Sequence, residues 1–448
     1  MTVATAANIL NEDQALSLVE KVIKKSTAEG VFVSLSMGES SLSRYSENQI
    51  TQNISNSEFN LTVTSYFGKR SASASTTEFD EDAIAQTIQL SEELAKIAPE
   101  DPEWVPLLEP QIYEQRTPAF DLATASFSPL ARGEIIQKVC QKSIKAGING
   151  SGILSTDAFL SAIGNSQGLR ASNRGTAANF SFTGKIEDGS SWCDRTSFAI
   201  NELPIELLTE QIIDRAFASR HPREINPGKY PVILDAPAVS DLLMMAIWSL
   251  DARAADEGRS FMSRIDANGK PIGNRLGEAM FSPLVQINRD PAHPLLQFGT
   301  SFSDGLSNNY LELIKDGIPQ VLSYSRYWAQ QQGKAPTGYF YPIVMQGTEQ
   351  SLHDLIAQTE RGILVSRTWY VNFANPKTLE VTGMTRDGTF WIEEGKIAYP
   401  IKNFRFNQNL SEMLRDVDAL SAVERSGYTV VPGIKVKQFN FSSISDSV

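Results

Sequence analysis

The chain has 448 residues, 41% hydrophobic and 21% charged, an ordinary globular composition long enough to fill more than one core. Its 40 basic and 52 acidic residues leave a net charge of −12, which repels phosphate and argues against direct nucleic-acid binding. Two cysteines, Cys140 and Cys193, are too few for a disulfide framework and suit a reducing cytoplasm. The opening MTVATAANILNEDQA has neither a basic n-region nor an apolar h-region, so no signal peptide is expected. The longest strongly apolar run, Leu242 to Trp248, falls well short of the roughly 18 residues of a membrane span.

In chain order, Asn11 and Gln14 form an approximate capping box, and Ala15, Leu16, Val19, Val22 and Ile23 fall on one helical face that Gly30 closes. Val31, Val33, Leu35 and Met37 alternate as a strand, as do Phe59, Leu61, Val63 and Phe67. A second helix starts at about Asp80, buries Ile84, Ile88 and Ala95, and stops before Pro99. Four prolines between Pro99 and Pro110 predict a linker, so a first α/β domain covers residues 1–110.

A middle α+β domain, 117–220, combines a helix over Glu134–Ala146, strands at Ile153–Ile163 and Ala177–Lys185, and a helix over Ile205–Ala218. The third unit, 227–448, opens with a strand at Tyr230–Leu234. A helix from Ala238 to about Ala255 follows, apolar almost all round in its first half and therefore buried. The remainder is β-rich, with a tight hairpin at Trp391–Ile397 and a strand through Phe404 and Phe406. The fold class is α+β: mixed N-terminal units, then a β-rich C-terminal domain around a buried helix.

No chemical centre stands out from the residues alone. His221, His293 and His353 show no metal-ligand spacing, and Asp251, Asp256 and Glu257 read as a solvated helix end rather than an oxygen-ligand site. Gly164-Asn165-Ser166-Gln167-Gly168 matches G-x-S-x-G, but a nucleophile elbow needs a following helix. Polar, glycine-containing residues and renewed strand alternation follow instead, which favours a β-turn. No phosphate-binding glycine loop is present, and Tyr324, Arg326, Tyr327 and Trp328 read as packing rather than a base-stacking platform.

Motifs in all three units nevertheless line up with one family. They are the run Phe67-Gly68-Lys69-Arg70-Ser71-Ala72-Ser73-Ala74-Ser75-Thr76, read as a strand ending in small residues before a helix, and the turn Asn165-Ser166-Gln167-Gly168. In the third unit they are Leu276-Gly277, Asp290-Pro291, Phe302-Ser303-Asp304-Gly305, Ile314-Lys315-Asp316-Gly317, Arg361-Gly362-Ile363-Leu364-Val365 and Thr385-Arg386-Asp387-Gly388-Thr389-Phe390-Trp391-Ile392-Glu393. In order and spacing the chain resembles the TldD/PmbA family, whose PmbA member is also called TldE.

In that family the TldD subunits are zinc peptidases with an H-E-x-x-x-H helix and a C-terminal cysteine. Imidazole and thiolate hold the ion, and the glutamate is the base. Histidines five apart lie about 140° apart on an ideal helix. The family's L-L-H-E-A-V-G-H aligns on Leu242 to Ser249, so Met244 and Ser249 replace the histidines and Met245 replaces the base. No cysteine follows Cys193. Thioethers are poor zinc ligands and cannot take a proton.

The resemblance therefore implies a non-catalytic PmbA/TldE-like subunit with no cofactor of its own and no catalytic residue. It would pair with a zinc-bearing TldD-type subunit, or with itself, over unfolded peptides in the cytoplasm, with no nucleic-acid or membrane partner. Peptide would add to a sheet edge, and Met244, Met245, Trp248 and Arg386 are the candidates to line that cleft, although Met244 and Met245 equally suit a core. The alternatives are a stand-alone divergent metallopeptidase, a hydrolase using Ser166, or an adaptor without a peptidase partner.

Overall fold

The computed structural model describes residues 10–114, 116, 119–296 and 299–445. The segment over 1–9, the start of the middle domain at Thr117 and the last three residues lie outside them. Helix α1 (Glu12–Lys25) carries the expected capping box: Asn11 accepts from the Gln14 amide, and Gln14 accepts in return. It stops at Ser26 rather than at Gly30, which opens strand β1 (Gly30–Ser46). Gly30 is needed for a different reason: a Cβ there would stand 3.2 Å from Leu107 and 3.3 Å from Tyr66.

β2 (Gln49–Phe67) follows, and the small-residue run is a strand of its own, β3 (Arg70–Thr76), after the Gly68-Lys69 turn. Asp80 caps α2 (Glu81–Ile97) through the Ala83 amide at 2.8 Å. Beyond the short α3 (Leu122–Ala125) come α4 (Pro129–Lys145), β4 (Asn149–Asn165), β5 (Arg170–Ile186), β6 (Gly189–Ser197) and α5 (Ile205–Ala218).

These strands make one six-stranded antiparallel sheet ordered β3-β2-β1-β4-β5-β6. β1 joins β4 in a register running from Phe32↔Asn165 to Tyr45↔Gly152, so the 110–117 boundary does not interrupt the sheet. α1 and α2 bury Val19, Val22, Ile84 and Ile88 against Val31, Val33, Leu35, Leu61 and Val63. Each such side chain contributes about 1.5–3 kcal/mol of transfer free energy. α4 and α5 make a second core with Leu154, Phe180 and Phe182. The proline-rich stretch has no helix or strand but is tied down: the Asn165 amide donates to the Leu108 carbonyl at 2.8 Å.

The C-terminal unit starts with β7 (Gly228–Leu234) and helix α6 (Ala236–Trp248). The single long helix expected to Ala255 is broken into α6 and α7 (Ala252–Asp256). The Ala252 amide turns to the Ser323 carbonyl, and Asp251 caps the new helix through the Ala254 amide at 2.6 Å.

β8 (Ser263–Ile265) with β9 (Pro271–Asn274), and β11 (Phe302–Ser303) with β12 (Leu306–Ser307), form separate hairpins. The main sheet adds β10 (Ile287–Arg289), β13 (Leu311–Lys315), β14 (Ile318–Pro319), β15 (Ile343–Met345), β16 (Arg361–Asn375) and β17 (Glu380–Glu393). It is completed by β18 (Lys396–Pro400), β19 (Phe404–Asn409), β20 (Val417–Ser426) and β21 (Thr429–Ile444). The Glu394-Gly395 turn has positive φ at both residues, as a tight hairpin requires. β7 pairs with both β16 and β21, closing the ring β7-β16-β17-β19-β21 around Phe404, Phe406, Phe439 and Phe441.

Candidate functional site

α6 is positioned by the strand before it. Asp235 leaves β7 with its amide on the Val365 carbonyl at 3.0 Å and its carboxylate on the Ala236 amide at 2.8 Å. Leu242, Leu243, Ala246 and Ile247 are buried. The opposite stripe is open: Asp241, Met244, Met245 and Trp248 stand at i, i+3, i+4 and i+7, with both methionines half-buried and Trp248 58% exposed. Three of the four residues proposed for a peptide cleft therefore share one face.

Ser249, the helix C-cap, is turned back: its hydroxyl donates to the Met245 carbonyl at 2.9 Å. A zinc ion does not fit this stripe. Its side chains are two thioethers packed on the core, a hydroxyl engaged with its own helix, and one carboxylate held by Thr368 at 2.8 Å. Cys140 and Cys193 lie in the N-terminal core, where burial raises both thiols, Cys193 to about 12.

Beside α6 runs β16. β7 pairs with it only at Ile363–Val365, and among the described residues no strand covers the outer edge beyond. Trp369, Tyr370 and Phe373 are exposed along that stretch. Arg367 is stacked between Trp192 of β6, 3.8 Å from the ring centroid, and Trp369 at 4.6 Å. Arg386 lies on Trp369 at 4.8 Å. Asp387, 2% exposed, accepts from Arg367 at 2.8 Å and from Ser190 at 3.0 Å. Burial lowers the Arg367 pKa, opposed by Asp387 and more weakly by Asp241. Asp387 has φ 54°, and the register between β16 and β17 shifts here, so a bulge aims this carboxylate inward. Arg386 thus belongs to a cation–aromatic stack joining the two units.

The other candidates do not converge on α6. Ser166 lies in the β4–β5 turn with no helix after it, and its oxygen accepts from the Val31 amide at 3.1 Å. Asp251 is a helix cap, Asp256 accepts from Trp328 and Asn274, and Glu257 is paired with Arg253 and Arg259. His293 accepts from the Leu295 amide, with its pKa lowered by burial, and His353 is exposed. His221 meets Glu187 and Asp188 instead. The sequence reading missed Asp241, Trp192, Arg367, Trp369 and Asp387. Asp241 was within reach, one helical turn before Met244 on the same stripe.

The family model for the PmbA/TldA metallopeptidase C-terminal domain matches residues 227–443, and that for domain 1 matches residues 31–95. The metalloprotease PmbA of Escherichia coli O157:H7 is 24% identical over 95% of both chains. The PmbA homologue of Haemophilus influenzae is 22% identical over 83% of both. The crystal structure of TldE from Thermococcus kodakarensis superposes with a TM-score of 0.83, at 19% identity, over 95% of this chain and 99% of that one.

Proposed function

The chain belongs to the PmbA/TldD metallopeptidase family, and from that premise we propose that it is the non-catalytic, peptide-holding subunit of a TldD-type zinc peptidase. The observation that carries this reading is the open stripe of α6. At the positions aligned with the family's ligands and base stand Met244 and Met245 on this stripe and Ser249 at the helix cap, thioethers that are poor zinc ligands and cannot take a proton and a hydroxyl engaged with its own helix. The stripe adjoins the uncovered edge of β16. An extended, unstructured peptide adds there through main-chain hydrogen bonds, with Met244, Met245 and Trp248 as an adaptable apolar wall.

What this chain's own residues do is hold and orient the substrate, and a zinc-bearing partner would supply the hydrolytic chemistry. No helix among the described residues is long and apolar enough to cross a membrane, and the proposed setting is the cytoplasm. The test mixes the purified chain with a TldD-type subunit carrying H-E-x-x-x-H and follows cleavage of an unfolded peptide. Activity is expected only in the mixture, with KM rising several-fold for Trp248→Ala. Cleavage by this chain alone that survives a chelator overturns the reading.

A further inference from the structure

We propose that Glu187, Asp188 and His221 form a site for a divalent first-row cation, zinc by the chemistry of its donors, remote from α6 and independent of the function proposed for it. Glu187 and Asp188 are the two-residue turn between β5 and β6, closed by the Ile186↔Gly189 pair. His221 follows the end of α5 by three residues. Two left-handed residues, Glu187 at φ 52° and His221 at φ 57°, bring these segments together. The three side chains offer one donor atom each, all within 4.8 Å of one another.

The two carboxylates face different nitrogens of one ring at ion-pair distance, so an ion would take a single ring nitrogen and draw both carboxylates toward it. Imidazole Nε2 lies 3.7 Å from Glu187 Oε2 and Nδ1 lies 3.9 Å from Asp188 Oδ2, both too long for hydrogen bonds. Zinc binds nitrogen and oxygen at about 2.0–2.2 Å, which sets ligand atoms on one ion roughly 3–3.5 Å apart. All three side chains are exposed, so nothing packed around them holds them from rotating toward that spacing.

Asp188 is already oriented for this role. Its Oδ1 accepts from the His221 amide at 3.0 Å, leaving Oδ2 for the ion. One ring nitrogen with two carboxylates selects zinc over magnesium or calcium, which prefer oxygen alone. Arg220, 3.5 Å from Glu187 Oε1, and Lys402, which lines the adjoining cavity with Asp188, oppose a cation, and the two carboxylates favour it. Bound metal would clip the β5–β6 turn to the segment leading into β7. The adjoining cavity, about 270 Å³, is lined by Asp188 and by Gly388, Lys402 and Asn403 of the C-terminal unit.

The experiment uses the full chain, stripped with a chelator, desalted and titrated with zinc chloride by calorimetry, with thermal unfolding in parallel. One equivalent per chain is expected, together with a zinc-dependent rise in Tm. His221→Ala should weaken binding at least tenfold and abolish the rise, whereas Met244→Ala should leave both unchanged. Failure of the wild type to take up an equivalent of zinc overturns the site, as does a titration that His221→Ala leaves unaltered. All three side chains are exposed, and Glu187→Gln with Asp188→Asn repeats the test without altering the residue at the left-handed His221 position, so a local backbone effect of His221→Ala is told apart from loss of a ligand. Neither outcome depends on whether peptide cleavage needs a partner.

Discussion

The two sheets treat their faces and edges in opposite ways. The N-terminal sheet is open, with long ladders that shift register at Arg44/Tyr45 of β1 and helices on one face, so β4 alternates inward Leu154, Thr156, Ala158 and Leu160 with less buried neighbours. The C-terminal sheet closes on itself, and from Asp387 to Ile392 β17 is buried at every residue, so the alternation vanishes. Its register is broken by bulges, and the arginine–tryptophan stack and Asp387 sit at one of them. Regular pairing makes a scaffold, and the irregular positions re-aim side chains toward a site.

Four experiments probe this contrast. The largest effect is expected at the bulge: Asp387→Ala strands Arg367 without its buried partner and should cost about 3–5 kcal/mol in urea unfolding. Next, the two faces of α6 should separate cleanly. Leu243→Ala, at a fully packed position, should cost about 2–5 kcal/mol, and Met244→Ala, on the open stripe, under about 1 kcal/mol. Equal losses for the two would contradict an open stripe.

The open sheet contains a smaller effect of the opposite sign. Arg132 is fully buried, donating to the Phe127 carbonyl and Thr156, while among the described residues its Nε and Nη2 have no hydrogen-bond partner and Asp157 is the carboxylate that favours its charge. Arg132→Met should therefore match or exceed wild-type stability by about 1 kcal/mol, and a large loss would show that the cation is satisfied in solution.

The last effect is kinetic and pH-dependent. Cys193, its thiol pushed up to about 12 by burial, should resist alkylation in the native chain at pH 8 and react once unfolded. The unfolded thiol ionises near 8.5 and the folded one near 12. The stability contributed by a neutral Cys193 is therefore intact below about pH 8.5 and falls as pH rises through that window.

Much of the open half was legible in the sequence. Asn11, Asp80 and the Ile205–Ala218 helix were readable because caps and a 3.6-residue period are local. The strands were found but drawn short. Polar residues such as Ser40 to Ser46 and Gln49 to Glu58 continue the β1–β2 ladder through main-chain bonds that composition does not reveal. The break in the long apolar helix was missed because the Ala252 amide is taken by the carbonyl of Ser323, far along the chain.

For the candidate site, the α6 positions came from the sequence through the family motif. The uncovered edge of β16 and the Trp192–Arg367–Trp369–Arg386 stack did not, because their partners lie on different units. The same holds for His221, which no spacing rule connects to Glu187 and Asp188.

By itself, the sequence determined the family and the α+β class, because those depend on residue identity and short-range period. Only the tertiary structure decided that the first two units share one sheet, that the last closes into a ring, and that α6 leaves Trp248 exposed and Met244 and Met245 half-buried. Those outcomes rest on strand pairings between residues more than a hundred positions apart, such as Leu35 with Ala162, where hydrogen-bond register rather than side-chain pattern sets the partner.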